Sequence, residues 1–229
     1  MFMEVISMKK KAFYMEWAYV CGIIFLAMGT ALMEKANFGM SMVVAPAYLL
    51  YLKLSETLPF VTFGMMEYTL QAVLLIIMML VLRRFRISYL FSFVTAVIYG
   101  FTLDGCMLLV APLPGEMIVI RGACYIIGML VCSLGVAFMF HTYIAPEAYE
   151  LLVKELSGKY NIPIGKFKTG YDCASLLVSI ILSFAFFGLW HFEGVKLGTI
   201  ICALINGSII GWMSRRMDAK WDFVRGFRG

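Results

Sequence analysis

Charge is scarce in this chain. Asp, Glu, Lys and Arg make up 14% of its 229 residues, against about a quarter in a soluble domain. Histidine is scarcer still: His141 and His191 are the only two. They end different apolar segments and lack ligand spacing to any cysteine or carboxylate, so no metal centre is expected. Neither Cys-x-x-Cys nor clustered Met-x-x-Met occurs, which argues against redox and copper chemistry. The chain has no GxSxG, no HExxH, no Walker loop and no GxGxxG between a strand and a helix. Those absences remove the common hydrolase, zincin, nucleotide-hydrolysing and dinucleotide classes. Catalytic residues, a cofactor and enzymatic activity are therefore not expected. Long polar linkers and low-complexity stretches are absent too, so residues 1–229 read as a single membrane domain.

What fills the chain is apolar. Hydrophobic residues account for 62% of it, in continuous runs of the length a helix needs to cross a bilayer. Six segments qualify: Trp17–Ala36, Phe60–Leu82, Tyr89–Ala111, Met117–Phe140, Thr169–Trp190 and Val195–Met213. The expected class is an all-α membrane protein with six transmembrane helices. With the N-terminus inside, most of the 19 basic residues fall on cytoplasmic segments. Only Lys35, Lys53, Arg121 and Lys196 lie toward the outside. The positive-inside rule then puts both termini in the cytoplasm. The +5 charge is spread over four loops, which suits lipid head groups and not nucleic acid. Residues 214–229 read as a basic cytoplasmic tail whose Trp221, Phe223 and Phe227 suit the head-group layer. The six cysteines read as small packing residues, and only Cys106 and Cys124 lie close enough in depth to suggest a disulfide.

The second half echoes the first. Gly22 and Gly29 recur as Gly128 and Gly135 at one common shift. Ala45-Pro46-Ala47-Tyr48-Leu49-Leu50 is echoed by Ala145-Pro146-Glu147-Ala148-Tyr149-Glu150-Leu151-Leu152. Pro59 and Phe63 recur as Pro163 and Phe167, and Ala96–Gly100 recurs as Ala203–Gly207. Units 17–111 and 117–213 each hold three spans. Three is odd, so the second unit enters the bilayer from the opposite side, as in inverted-repeat transporters. A short broken or interfacial helix is expected after spans one and four. The first is interrupted by Gly39 and Pro46. The second, led by Pro146, is amphipathic, with Tyr149, Leu152, Val153 and Leu156 on one face and Glu147, Glu150, Lys154 and Glu155 elsewhere. It reads as a helix lying on the cytoplasmic surface. Pro46 and Pro146 suit first-turn positions. These broken segments are candidate gates.

An ionised side chain inside a bilayer must face protein or water. Glu67, Asp104 and Arg121 lie at similar depths below the outer edge and are expected to share one polar pocket. There Arg121 would grip an anion, or the acids would carry a proton or cation. Pairing of Arg121 with Asp104 as a staple between spans three and four is the plainer alternative. Asp172 corresponds to Glu67 in the repeat and sits near the inner end of span five. It is either a mirrored site or a first-turn acid near Lys166 and Lys168. Asn206, opposite Tyr99 in the repeat, would bind solute or bond across helices.

Gly22…Gly29-Thr30-Ala31-Leu32…Ala36-Asn37-Phe38-Gly39 and a following proline-containing segment resemble the opening of the bacterial YczE/YyaS/YitT membrane proteins. Gly198-Thr199-Ile200…Asn206-Gly207…Gly211 resembles their closing helix. The likeness implies a multi-pass protein of the bacterial cytoplasmic membrane, of the short type without a soluble C-terminal domain. It carries over no site residues. The leading expectation is a protein that moves a small solute through a cavity between the two units. A substrate-binding subunit of a larger importer and a non-transporting accessory protein are the alternatives. The expected partners are the lipid bilayer and an unidentified small solute, with a homo-oligomer left open.

Overall fold

The structure, a computed structural model, describes residues 11–39, 41–114, 117–162, 164–188 and 196–226. Eight helices account for most of them: α1 Met15–Ala36, α2 Ala45–Ser55, α3 Phe63–Leu82, α4 Ile87–Val110, α5 Ile118–Phe140, α6 Ala148–Tyr160, α7 Ile164–Phe187 and α8 Leu197–Lys220. Six are long and apolar enough to cross a membrane: α1, α3, α4, α5, α7 (over Gly170–Phe187) and α8. The protein is an all-α, multi-pass membrane protein. Short helices follow the first and fourth spans, as expected. His191, Pro163, the Lys166 side chain and the far end of the fifth segment lie outside what is described.

Local chemistry sets the helix ends. The Thr62 hydroxyl accepts the Met65 N–H at 3.1 Å and so caps α3. Asn37 closes α1 and Asn161 closes α6 in the left-handed region, which asparagine tolerates better than most residues. Pro46 sits in the first turn of α2, where its missing N–H costs little. Pro146 does not repeat that arrangement. It precedes the cap residue Glu147, and its carbonyl accepts the Ser92 hydroxyl at 2.6 Å.

The central contact joins α1 to α5. Gly22 lies against Gly135 and Gly29 against Gly128, so the two helices run antiparallel. A Cβ on Gly135 would stand 2.8 Å from the Gly22 carbonyl oxygen, and one on Gly128 2.8 Å from that of Gly29. Only bare backbone allows such an approach, which is how helices associate where lipid competes for apolar side chains. Around this pair α4 lies on α1 and α8 lies on α5. α2 lies on α3 and α7, and α6 lies on α7 and α3. α3 and α4 meet tightly, with Gly64 against Gly100. Among the described residues α7 and α8 form no comparable interface, and a Cβ on Gly207 would meet nothing within 4 Å.

Three expectations fail. α8 does not end at Met213 but runs to Lys220. The basic tail is not a free head-group anchor. Trp221–Val224 forms β2, paired in parallel with β1, Lys11–Tyr14. Trp221 and Phe223 pack on Phe13 and Phe138, and His141 stacks near Phe223 and bonds Asp218 at 2.9 Å. The first and last described elements, β1 and β2, therefore lie side by side. The apolar faces of those aromatic residues found protein partners before lipid. Cys106 and Cys124 form no disulfide; all six cysteines are free.

Gly29→Ala should destabilise the protein by about 1–3 kcal/mol, the usual cost of overpacking. Gly122→Ala, with open space around its Cβ, should hold or gain up to about 1 kcal/mol from helix propensity. Thermal unfolding of the two variants in detergent checks the contrast.

Candidate functional site

α3 presents two polar side chains on one face, Glu67 and Gln71, both fully buried. Opposite them stands Glu147, the residue that begins α6, only 5% exposed. Gln71 ties the three together. Its Nε2 donates to Glu147 Oε2 at 3.2 Å and reaches Glu67 Oε1 at 3.5 Å, and its Oε1 accepts the Ala148 N–H at 3.0 Å. Glu67 Oε2 and Glu147 Oε1 remain buried without a hydrogen-bond partner. The Tyr149 hydroxyl lies beside Glu67 but outside bonding geometry. Two carboxylates sharing one neutral amide cannot both ionise in a low-dielectric interior without a counter-charge. Burial, and then the charges of Glu67 and Glu150, push the Glu147 carboxyl well above the ordinary carboxylate range.

Glu147 lines a cavity of about 60 Å³ at the junction of the helices. That is room for a few water molecules. One wall is apolar, with Leu26, Val43, Val44 and Val136. The other carries Tyr99, Glu147, Glu150, Lys168 and Asn206. Lys168 Nζ lies 3.3 Å from Asp172 Oδ1 and 3.7 Å from Glu150 Oε1. Burial works to lower the Lys168 pKa, and the two acids outweigh it and raise it, so the ammonium stays charged. The Tyr99 hydroxyl is held by Thr30 at 3.0 Å, and Asn206 accepts the Ser133 hydroxyl at 2.5 Å. No group of three His, Cys, Asp or Glu side chains among the described residues is arranged to hold a metal ion.

The pocket expected from Glu67, Asp104 and Arg121 does not form. Asp104 accepts the Thr62 hydroxyl at 2.6 Å and the Gly64 N–H at 2.8 Å, which fastens the start of α3 onto α4. Arg121 donates from Nε to the Ala36 carbonyl at 2.8 Å and from Nη2 to the Asn37 carbonyl at 3.2 Å, with its guanidinium 4.8 Å above the Phe38 ring. It satisfies the carbonyl end of α1. Nor do Asp104 and Arg121 pair with each other. Depth along a span says nothing about the direction a side chain takes around the helix, and that rotation separates the three. Asp172 is not a first-turn acid: α7 begins eight residues before it, and Lys168 is its partner. Gly39 takes a φ of 114°, in the region that favours glycine, where its backbone passes the start of α8 beside Thr199. This spot lies away from the cavity.

Glu67, Asp172 and Asn206 thus belong to one neighbourhood with Gln71, Glu147, Glu150 and Lys168, which sequence reasoning had not assigned to a site. α6 is amphipathic, with Leu151, Leu152 and Val153 buried and Lys154, Lys159 and Tyr160 exposed, but its first acid, Glu147, is buried. Two signals were available. Glu67 and Gln71 stand one turn apart on an otherwise apolar span. Glu147 is an extra residue inserted into the echoed Ala-Pro-Ala-Tyr motif.

The chain belongs to a family of unknown function, DUF6198, whose model matches residues 13–215. No curated protein and no solved structure matches it.

If Asp104 and Arg121 serve separate helix ends, Asp104→Asn and Arg121→Gln should each lower stability. Their effects should add to within about 0.5 kcal/mol in the double variant. Unfolding midpoints of the four proteins measure the coupling. A larger coupling would restore the ion-pair staple.

Proposed function

We propose that this DUF6198 protein moves a small solute across a bacterial cytoplasmic membrane, through a cavity between two inverted three-helix units. The observation that carries the reading is Glu147: a buried carboxylate with an unpartnered oxygen, lining a cavity where helices of both halves converge. A purely structural bundle has every reason to lose such a group, because burying it is costly. The cavity's lining includes residues well inside three spans, Leu26 of α1, Tyr99 of α4 and Asn206 of α8, as sites in transporters of this architecture do.

The packing supports the inverted repeat. The contact of Gly22 with Gly135 mirrors that of Gly29 with Gly128, as a pseudo-two-fold axis between α1 and α5 requires. Under the same operation α4 on α1 becomes α8 on α5, and α2 on α7 becomes α6 on α3. Each half reaches across the axis with its short helix. Three glycines of the motifs that resemble YczE/YyaS/YitT proteins sit at close contacts, Gly22 and Gly29 of α1 against α5 and Gly198 beneath the Phe38 carbonyl and Tyr125, whereas Gly207 and Gly211 do not. Positive-inside reasoning and the pairing of β1 with β2 favour both termini on the cytoplasmic side.

α3 packs closely on α4 through Gly64 and Gly100, and among the described residues α7 makes no comparable interface with α8. An opening between α7 and α8 is the natural route for a solute to enter and leave. Passage requires that cavity residues meet water from both faces in turn. In a variant lacking native cysteines, Val43→Cys should react with a membrane-impermeant maleimide added to right-side-out vesicles and, separately, to inside-out vesicles. Labelling from neither side would sink the transport reading and favour an accessory role.

A further inference from the structure

We infer that the cavity is a site for a compact organic monocation bearing N–H donors, of the guanidinium or primary-ammonium type, held between Glu147 and Glu150. The inference rests on the transport reading for its purpose but not for its geometry.

Charge balance comes first. Among the described residues, Glu67, Glu147, Glu150 and Asp172 share one ammonium, that of Lys168, which already contacts Glu150 and Asp172. Gln71 bridges Glu67 and Glu147 but brings no charge. The cluster is thus short of positive charge by more than one unit, in a place where water cannot supply the difference. A proton or an added cation must supply it.

Chemistry then narrows the cation. A bare metal ion needs several oxygens converging at coordination distance, and the described residues hold no such group. The acceptors here are Glu147 Oε1, which has no partner, and the Glu150 carboxylate three residues on, which Lys168 meets only at 3.7 Å; both residues line the cavity. Planar guanidinium and alkylammonium ions meet spread carboxylates through directed N–H bonds. The apolar lining residues Leu26, Val43, Val44 and Val136 accept the carbon side of such an ion, and Tyr99 adds a ring. An anion is disfavoured because Lys168 is engaged. The volume limits the ion to a few heavy atoms.

Binding exchanges charges. With the solute absent, the Glu67–Glu147 pair holds a proton. As the cation docks, that proton leaves for water and the net charge of the site is unchanged. The ionisable groups set around Glu147 include Tyr19 from α1, Glu67 from α3, Tyr99 from α4, Cys132 from α5, Tyr149 and Glu150 on α6, and Lys168 with Asp172 on α7. Only the carboxylates can release a proton near neutrality. Glu147, raised above its usual range, is protonated at low pH and competes with the ligand. Affinity should therefore rise with pH, by about tenfold per unit while one proton is displaced.

Guanidinium is the probe, because it stays charged at every usable pH. Thermal stabilisation of the purified protein in detergent is followed as millimolar guanidinium replaces tetramethylammonium at constant ionic strength, with sodium as a second control. The expected result is a saturable stabilisation by guanidinium alone, stronger at higher pH. It should weaken by at least about tenfold in Glu147→Gln. Should that variant not fold, Glu150→Gln, on a partly exposed residue, must show the loss. Stabilisation no greater than with tetramethylammonium, or one unchanged in the folded variants, overturns the inference. Guanidinium binding without two-sided labelling of Val43→Cys would leave this site standing and remove transport. Labelling without guanidinium binding would do the reverse.

Discussion

The backbone contact between α1 and α5 is the constraint from which the rest follows. Inside lipid there is little hydrophobic force to bring helices together, so close van der Waals approach must do it. Gly22, Gly29, Gly128 and Gly135 allow that approach at two points along an antiparallel crossing. Fixing two points fixes the crossing angle and the axial register. α4 and α8 then take their places on either side, and the short helices α2 and α6 are carried across to α7 and α3. Glu147 reaches Gln71 only because α6 is delivered to α3 in this way. The most polar contact in the molecule depends on its most featureless residues.

The buried polar groups separate into two kinds by how completely they are answered. Asp104 receives two donors and Arg121 gives to two carbonyls. Each closes a helix end, and both are partly exposed, so any remaining capacity can be met by water. Glu67 and Glu147 share one amide and each keep an oxygen without a donor. Satisfied groups are sufficiently explained by stability. An unsatisfied buried carboxylate is not, because it costs free energy unless something else arrives. That distinction moves the site from the outer edge of the spans to the junction of α3, α6 and α7.

The spans were legible because apolar runs of about 20 residues admit few other readings, and five of the six boundaries at their first ends fall within three residues where they are described. The glycine positions were legible too, through their common shift. The direction of side chains around each helix was not. Glu67, Asp104 and Arg121 share a depth and face different neighbours. α6 misled for a related reason. Its alternation of acids and apolar residues is the pattern of a helix in water, but in a membrane protein the polar edge can face a buried cavity as readily as solvent. The pairing of β1 with β2 left no sequence trace beyond a few aromatic residues at each end.

In the inverted-repeat reading, the loose α7–α8 side has a covalent cause. The shift that carries Phe63 to Phe167 carries Gly64 to Lys168. Gly64 has no side chain, and α4 comes down onto it through Gly100. Lys168 at the matching place has the longest unbranched side chain available. It is turned to Glu150 and Asp172, so α8 cannot settle on α7 as α4 settles on α3. Gly207, the partner of Gly100, is left with open space. One substitution within the repeat therefore does two things. On that reading, it would keep the second seam from sealing, and it places the one ammonium described in this neighbourhood among its acids. The cavity and its charge would then be two consequences of the same departure from symmetry.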